Sequence, residues 1–345
     1  MPKISLMIHT ASFDDFLSGH QINSYFEALV YNLEHQSFRD FELVYIDTFY
    51  EENKEKFANV QSSFQIKHVS VHPNHRYWYD KGYCYISAAK NTGILYSDGE
   101  LLITCDDSEF FPEQFLQKYW DHYNSGYYMH AVHKRMKSIE VENGLPKNPI
   151  AGDVYINDNR ILNDSREIIH HRWGNWAYAG TSFSLADGLL LNGFNEKMDS
   201  CKSLEDCEFG ARLMLAGKAL VADKQGFAYI LDHKSYTDYQ QIQWNEEDRE
   251  AEKNKQVYCK KKIDNLIAVE NYGVLRASEE LFEVKANRKN FSPKHMEIIK
   301  RETLKYRGFD PLAPENREKL DLWLGTPNFS LEDERRELRS NNWKW

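Results

Sequence analysis

Short aliphatic runs alternate with helix-like apolar spacing through the first half of the chain, and this alternation restricts the fold more than any other feature. Residues 3 to 10 ("KISLMIHT") and 41 to 48 ("FELVYIDT") read as strands. Between them, Ser24 and Glu27 form a capping-box candidate ahead of "YFEALVYNLEHQ", in which Phe26, Leu29, Val30 and Leu33 share a helix face. "QIKHVSV" at 65 to 71 reads as another strand, 84 to 96 as a helix containing "ISAAKNTGILY", and "ELLITCDD" at 100 to 107 as a central strand ending in two acids. Pro112 opens a further helix, "PEQFLQKYWDHYNS". Strands alternating with helices build an α/β layered sheet covered on both faces, and ligands of such sheets sit at the carboxyl ends of the strands. Acids at those ends therefore carry more functional weight than acids on a helix face.

The pattern loosens after residue 126. "GYYMHAVHKRMKSIEV" reads as a strand, and 142 to 179 as a long loop or small inserted hairpin, punctuated by Gly, Pro, Asn and Asp. "FSLADGLLLNGFNE" restores order, and "SLEDCEFGARLMLAGK" suits a partly buried helix through Phe209, Leu213, Met214 and Ala216. "ALVADKQGFAYILDH" follows as strand or paired-strand material. From about 245 the chain becomes charged and largely helical: a separate unit, a packed extension or an oligomerisation arm. Ser330 and Asp333 form a second capping-box candidate there, and Trp323, Trp343 and Trp345 call for a packing partner.

With 345 residues, 41% of them hydrophobic, the chain can bury a large core in one or two domains. Lys plus Arg total 43 against 53 Asp plus Glu, a formal charge of -10, without the basic excess that extensive nucleic-acid backbone binding needs. "KRMK" at 134 to 137 and "CKKK" at 259 to 262 leave a local basic cleft open, although both read more simply as solvated faces. The five cysteines are scattered and form no CxxC pair, which fits a reducing compartment. No apolar stretch approaches bilayer-spanning length, so the expectation is a cytoplasmic protein, with peripheral membrane contact left open.

Three acidic sites stand out. Asp106 and Asp107, with Glu109 close behind, offer hard oxygen ligands for Mg²⁺ or Mn²⁺, whose shell phosphate oxygens and water complete. The alternative is a structural or solvent-facing pair. Asp47 also follows an apolar strand, where it serves either a nucleobase or ribose or its own turn. Asp206, within "ED" at 205 to 206, has capping-box spacing from Ser203; it either caps a helix or acts as a general base on an acceptor hydroxyl.

In chain order, the opening strand with its "SYFEALVYNLEHQS" helix, Asp47, "AAKNTGILYSDGELLITCDDSEFFP" and "AGTSFSLADGLLLNGFNEKM...SLEDCEFGARLMLAG" resemble the family 2 glycosyltransferases and related nucleotide-diphospho-sugar transferases of the GT-A fold. The resemblance covers about residues 1 to 235. It implies a Rossmann-like GT-A domain at 1 to 240, with a nucleotide-binding half at 1 to 125 and an acceptor-binding half at 126 to 240. Residues 241 to 345 would form a mainly helical C-terminal extension. It further implies that Thr10, Asp47, Lys90, Asp106 and Asp107 meet the donor, Asp47 reading the base. Asp107 would meet the metal, Asp206 would be the catalytic base, and Glu205 would bind or orient the acceptor.

Here the chain departs from the family in having "DTFY" at 47 to 50 where "DDGS"-like turns are common, and "DDSE" in place of a DxD spelling. Lys90 and Asn91 stand where relatives carry Arg-Asn, giving a cation for phosphate or an ordinary supporting pair. His233 matches a histidine that completes the metal site in some GT-A enzymes, and is equally readable as structural. Trp173 and Trp176 suit stacking on an acceptor sugar or aromatic packing, and Gly180 suits close approach of substrate.

The expected activity is inverting transfer of a sugar from a nucleotide-diphosphate donor, most simply UDP-linked, to a hydroxyl of a saccharide-containing or glycoconjugate acceptor, with Mn²⁺ or Mg²⁺. A nucleotidyltransferase and a non-catalytic sugar-binding or assembly protein with a degenerate GT-A domain are the alternatives. The first would favour a glycine-rich early loop with a phosphate-facing cation, which the sequence lacks.

Overall fold

A computed structural model of the chain describes residues 2–10, 22–71, 86–142, 145–151, 165–170, 180–191, 193–194 and 218–231, together with positions 205, 206, 209, 210, 213, 293, 295, 297 and 298. The first strands and helices follow the apolar pattern: β1 (Ile4–Thr10), α1 (Ile22–Leu33), β2 (Phe41–Asp47), α2 (Tyr50–Phe57), β3 (Gln65–Ser70), α3 (Ile86–Tyr96) and β4 (Leu101–Asp106). Then come β5 (Glu109–Phe110), α4 (Phe115–Asn124), β6 (Tyr128–Glu142), β7 (Leu145–Ala151), β8 (Ile168–His170), β9 (Thr181–Ser184), α5 (Leu185–Leu190) and β10 (Leu220–Leu231).

One sheet has the order β3-β2-β1-β4-β9, with the first four strands parallel and β9 antiparallel at the edge. Strands β1, β2 and β4 read as continuous apolar runs because both faces are covered: Ile4, Leu6, Ile8, Leu43, Ile46, Leu101 and Ile103 are all inaccessible to solvent. The chain winds outward from β1 to β3 and returns to place β4 on the other side of β1. The carboxyl ends of β1 and β4 therefore flank a topological switch point, the position where open α/β sheets bind ligands. Helix α3 lies close on this sheet at Gly93, where a side chain would meet the Met7 sulfur at 2.8 Å. This is a layered, Rossmann-like α/β arrangement.

The second sheet has the order β5-β10-β6-β7, with β8 also pairing β10. The hairpin foreseen after residue 142 is the antiparallel β6–β7 pair, and the "ALVADKQGFAYILDH" segment forms one long strand with a register shift between Ala222 and Phe227. The sheets are sewn together at β9 and β6, where the Ser182 hydroxyl accepts from Met129 N at 2.9 Å and donates to Met129 O at 3.0 Å. One continuous apolar cluster runs from Ile4 in β1 through Tyr119 in α4 to Phe209, Leu213 and Ala228, so both halves of the expected catalytic domain share a core.

Three details differ from the pattern. Helix α1 already contains Ser24, so the proposed Ser24–Glu27 capping box is not its start. Helix α2 had no apolar signal, because "YEENKEKF" buries only Asn53 and Phe57. Pro112 lies one turn ahead of α4, and Phe115 N donates to its carbonyl at 3.0 Å. Of the expected helical extension, the described positions 293, 295, 297 and 298 are helical; His295 is buried and Ile298 packs against the main core. The rest of 241 to 345, including Ser330, Asp333 and the three tail tryptophans, lies outside the described residues. Among the described residues, no helix is long and apolar enough to cross a membrane.

Candidate active site at the carboxyl end of the parallel sheet

Parallel pairing puts Thr10 opposite Asp47 and His9 opposite Asp106, so three strands deliver polar side chains to one rim. The Thr10 hydroxyl donates to Asp107 Oδ2 at 2.5 Å, tying the end of β1 to the acids that follow β4. His9 Nε2 stands 3.4 Å from Asp106 Oδ1, and the Asp106 side chain keeps 43% of its surface exposed. Burial lowers the His9 pKa, and the nearby Lys90 ammonium lowers it further against the opposing pull of Asp106.

Two segments distant in sequence complete the cluster. Lys90, buried on α3, reaches Glu205 Oε1 at 3.3 Å. Burial disfavours its charge, but Glu205, Asp206 and Asp106 outweigh that cost and raise its pKa, so the ammonium stays charged. Glu205 and Asp206 are helical and buried. Spacing of four and eight residues puts Phe209 and Leu213 on the face of Glu205, and both are fully buried. Phe209 stacks on Phe194 at 4.2 Å and meets Phe183 edge-on at 4.8 Å, which fixes the start of this helix against the parallel sheet. Asn91 supports the same wall: its amide donates to Phe194 O at 2.9 Å and accepts from Phe194 N at 2.7 Å.

Asp47 is used more fully by the protein than the sequence indicates. It is inaccessible to solvent, Oδ1 accepts from Phe49 N at 2.8 Å, and Oδ2 meets Asn53 Nδ2 and His68 Nε2, each at 3.0 Å. These contacts hold the start of α2 and the end of β3 against β2. Gly180 is engaged by the protein itself. It adopts φ 78°, a side chain there would stand 2.5 Å from the Ala131 side chain, and its carbonyl accepts from Ala131 N and the Tyr119 hydroxyl. The close approach these contacts show is between protein elements. Trp173, Trp176 and His233 lie outside the described residues.

Thus His9, Thr10, Lys90, Asp106, Asp107, Glu205 and Asp206 converge, and Asp47 adjoins them through Thr10. His9 and His68 carried no sequence signal, since their partners lie 97 and 21 residues away. Glu109 was visible only as a third acid; it is buried, and burial, reinforced by Asp106, pushes its pKa well above the carboxylate range. Among the described residues, Glu205, Asp206 and Asp106 gather around the Lys90 ammonium, and Asp107 follows Asp106 at the same rim. Among the described residues no group of three or more His, Cys, Asp and Glu side chains suits a metal ion by itself. Adjacent Asp106 and Asp107 do offer the hard oxygen donors that Mg²⁺ or Mn²⁺ takes in ones and twos when phosphate and water fill the remaining positions.

No protein-family model matches the chain, and no curated protein matches it. Among solved structures, Staphylococcus aureus TarS 1–349 in complex with UDP-GlcNAc aligns with a TM-score of 0.50 and 13% identity, over 92% of this chain and 83% of that chain. TarS 1–349 without a named ligand gives 0.45 and 13% over 95% and 94%, and its complex with UDP gives 0.45 and 13% over 96% and 77%. The first of these alignments establishes a common fold.

Proposed function

We propose that this chain is a metal-dependent inverting glycosyltransferase of the GT-A, family 2 type, moving a sugar from a UDP-linked donor to a hydroxyl of a saccharide-containing acceptor. The observation that carries the proposal is the meeting of the Asp106–Asp107 and Glu205–Asp206 motifs across Lys90, at the switch point of a parallel sheet. The fold shared with a TarS structure that holds UDP-GlcNAc supports a nucleotide-sugar donor for such a crevice.

In this reading Asp106 and Thr10 line the donor's ribose and diphosphate, and Asp47 lies beneath the base with its carboxylate held by His68 and Asn53. Asp107, joined by His233, would hold Mg²⁺ or Mn²⁺. A bound divalent cation supplies neutralisation of the diphosphate charge as the nucleotide departs.

Asp206 takes the proton from the acceptor hydroxyl, whose oxygen attacks the anomeric carbon from the side opposite the diphosphate. The new C–O bond forms as the anomeric C–O bond to phosphate breaks, and its electron pair leaves with UDP. Glu205 orients the acceptor while Lys90 fixes Glu205. The test is a binding panel of UDP-, GDP-, CMP- and dTDP-sugars, with and without Mn²⁺ or Mg²⁺, followed by product analysis. Metal-dependent binding and cleavage of a UDP-sugar is expected; failure of every donor to bind folded protein would overturn the proposal.

A further inference from the structure

Glu109 follows the acidic turn and begins β5, a two-residue strand that leaves the parallel sheet and pairs with β10, placing Glu109 opposite Ile230. Its side chain turns back. Oε1 accepts from the backbone N–H of Asp106 at 3.3 Å and lies 3.5 Å from His133 Nε2 of β6, while the Cys105 thiol of β4 bonds to the same carboxyl. Glu109 is inaccessible to solvent, and Oε2 has no hydrogen-bond partner among the described residues. The carboxyl group thus closes the Asp106–Glu109 turn and lies against β6, while the Glu109 backbone pairs with β10.

We infer that Glu109 is a positioning residue, whose side-chain oxygen fixes the Asp106–Asp107 turn by accepting from the Asp106 amide, while its backbone pairs with β10 and its carboxyl lies against His133 of β6. This rests on the glycosyltransferase reading for its functional consequence, and on geometry alone for the anchoring. The turn projects two consecutive carboxylates from a strand end, where sheet pairing no longer constrains the backbone. Asp107 is held there by Thr10 from one side, and the Glu109 carboxyl supplies the hold from the other. A carboxamide of the same length still presents a C=O oxygen to the Asp106 amide, so glutamine preserves the anchor and leucine removes it.

Wild type, Glu109→Gln and Glu109→Leu are compared by amide hydrogen exchange at Asp106 and by calorimetric binding of UDP with Mn²⁺. Glu109→Leu should accelerate exchange at the Asp106 amide with Ile103 still protected, and weaken UDP–Mn²⁺ binding by about 10- to 100-fold. Glu109→Gln should stay within about threefold of wild type in both measurements. Unchanged exchange and binding in Glu109→Leu would overturn the inference, as would a glutamine variant as impaired as leucine, which would mark Glu109 as acting through its charge. Should Glu109→Leu fail to fold, Glu109→Asp withdraws the carboxyl by one methylene and is expected to speed Asp106 exchange in the same way; wild-type exchange there would overturn the anchor. Absence of UDP–Mn²⁺ binding by the wild type would sink the glycosyltransferase reading, and the exchange comparison would still decide the role of Glu109.

Discussion

The parallel sheet buries carboxylates at both of its ends and treats them differently. At the amino end, Glu42 of β2 is inaccessible to solvent, with hydrogen bonds to one carboxylate oxygen and an ion pair at the other. Ser5 and the Asp98 amide donate to Oε1 at 2.6 and 2.7 Å, and Lys67 stands 2.7 Å from Oε2. Lys67 also reaches Asp98 at 2.7 Å, so the motif closes on itself. At the carboxyl end Glu205, Asp206 and Asp106 gather around Lys90, and the Asp106 side chain keeps 43% of its surface exposed. The amino-end acid is closed into the protein, whereas the carboxyl-end cluster includes an acid open to solvent where such sheets take ligands. Asp47 sharpens the contrast, because its three protein contacts make it resemble Glu42 although it lies at the functional end.

The largest effect should come from the functional end. Asp206→Asn should lower kcat by about 10²- to 10⁴-fold, the usual worth of a general base, with UDP affinity within a few fold of wild type. Full transfer by the folded variant would remove Asp206 from the mechanism. At the amino end, Glu42→Ala should cost about 3 kcal/mol in chemical denaturation, because Lys67 loses a buried partner, while the folded fraction keeps its transfer rate. A kinetic defect there would erase the contrast between the ends.

Asp107→Asn should reduce turnover by about 10²-fold and raise the Mn²⁺ concentration for half-maximal rate. Asp47→Ala is expected to cost about 1 to 3 kcal/mol of stability, since Asn53 and His68 lose their acceptor, besides weakening UDP binding. Loss of UDP affinity at unchanged stability would instead make Asp47 a binding group alone. The smallest effect concerns pH. Because burial lowers the His9 pKa from 6.5, the unfolded chain binds more protons than the folded chain just below that value. The contribution is complete above pH 6.5 and is lost as pH falls, so His9→Gln should flatten the decline of Tm between about pH 6.5 and pH 5.

The strands of the parallel sheet were legible because each is an apolar run, and the ends of β1, β2 and β4 because a polar residue stops the run: Thr10, Asp47 and Asp106. The "ED" pair was legible as a motif, but its meeting with Lys90, 115 residues away, had no signal in spacing and appears only in the folded chain. What stayed hidden had no local period. Helix α2 is held by Asp47, Asn53 and Phe57 more than by an apolar stripe, and His9, His68 and His133 acquire meaning only once pairing brings Asp106, Asp47 and Glu109 beside them. The contact of Gly180 with Ala131 was likewise hidden, because it joins two strands the sequence could not align with each other.

The central claim, that the carboxyl-end acids form a cation-dependent nucleotide-sugar site, is tested most directly by calorimetric titration of a UDP-sugar into wild type and Asp107→Asn, each with Mn²⁺ and after chelation. Binding by wild type only with Mn²⁺, lost in Asp107→Asn while Glu42→Ala retains it, is the expected result. Equal binding by wild type and Asp107→Asn with the metal removed would contradict it.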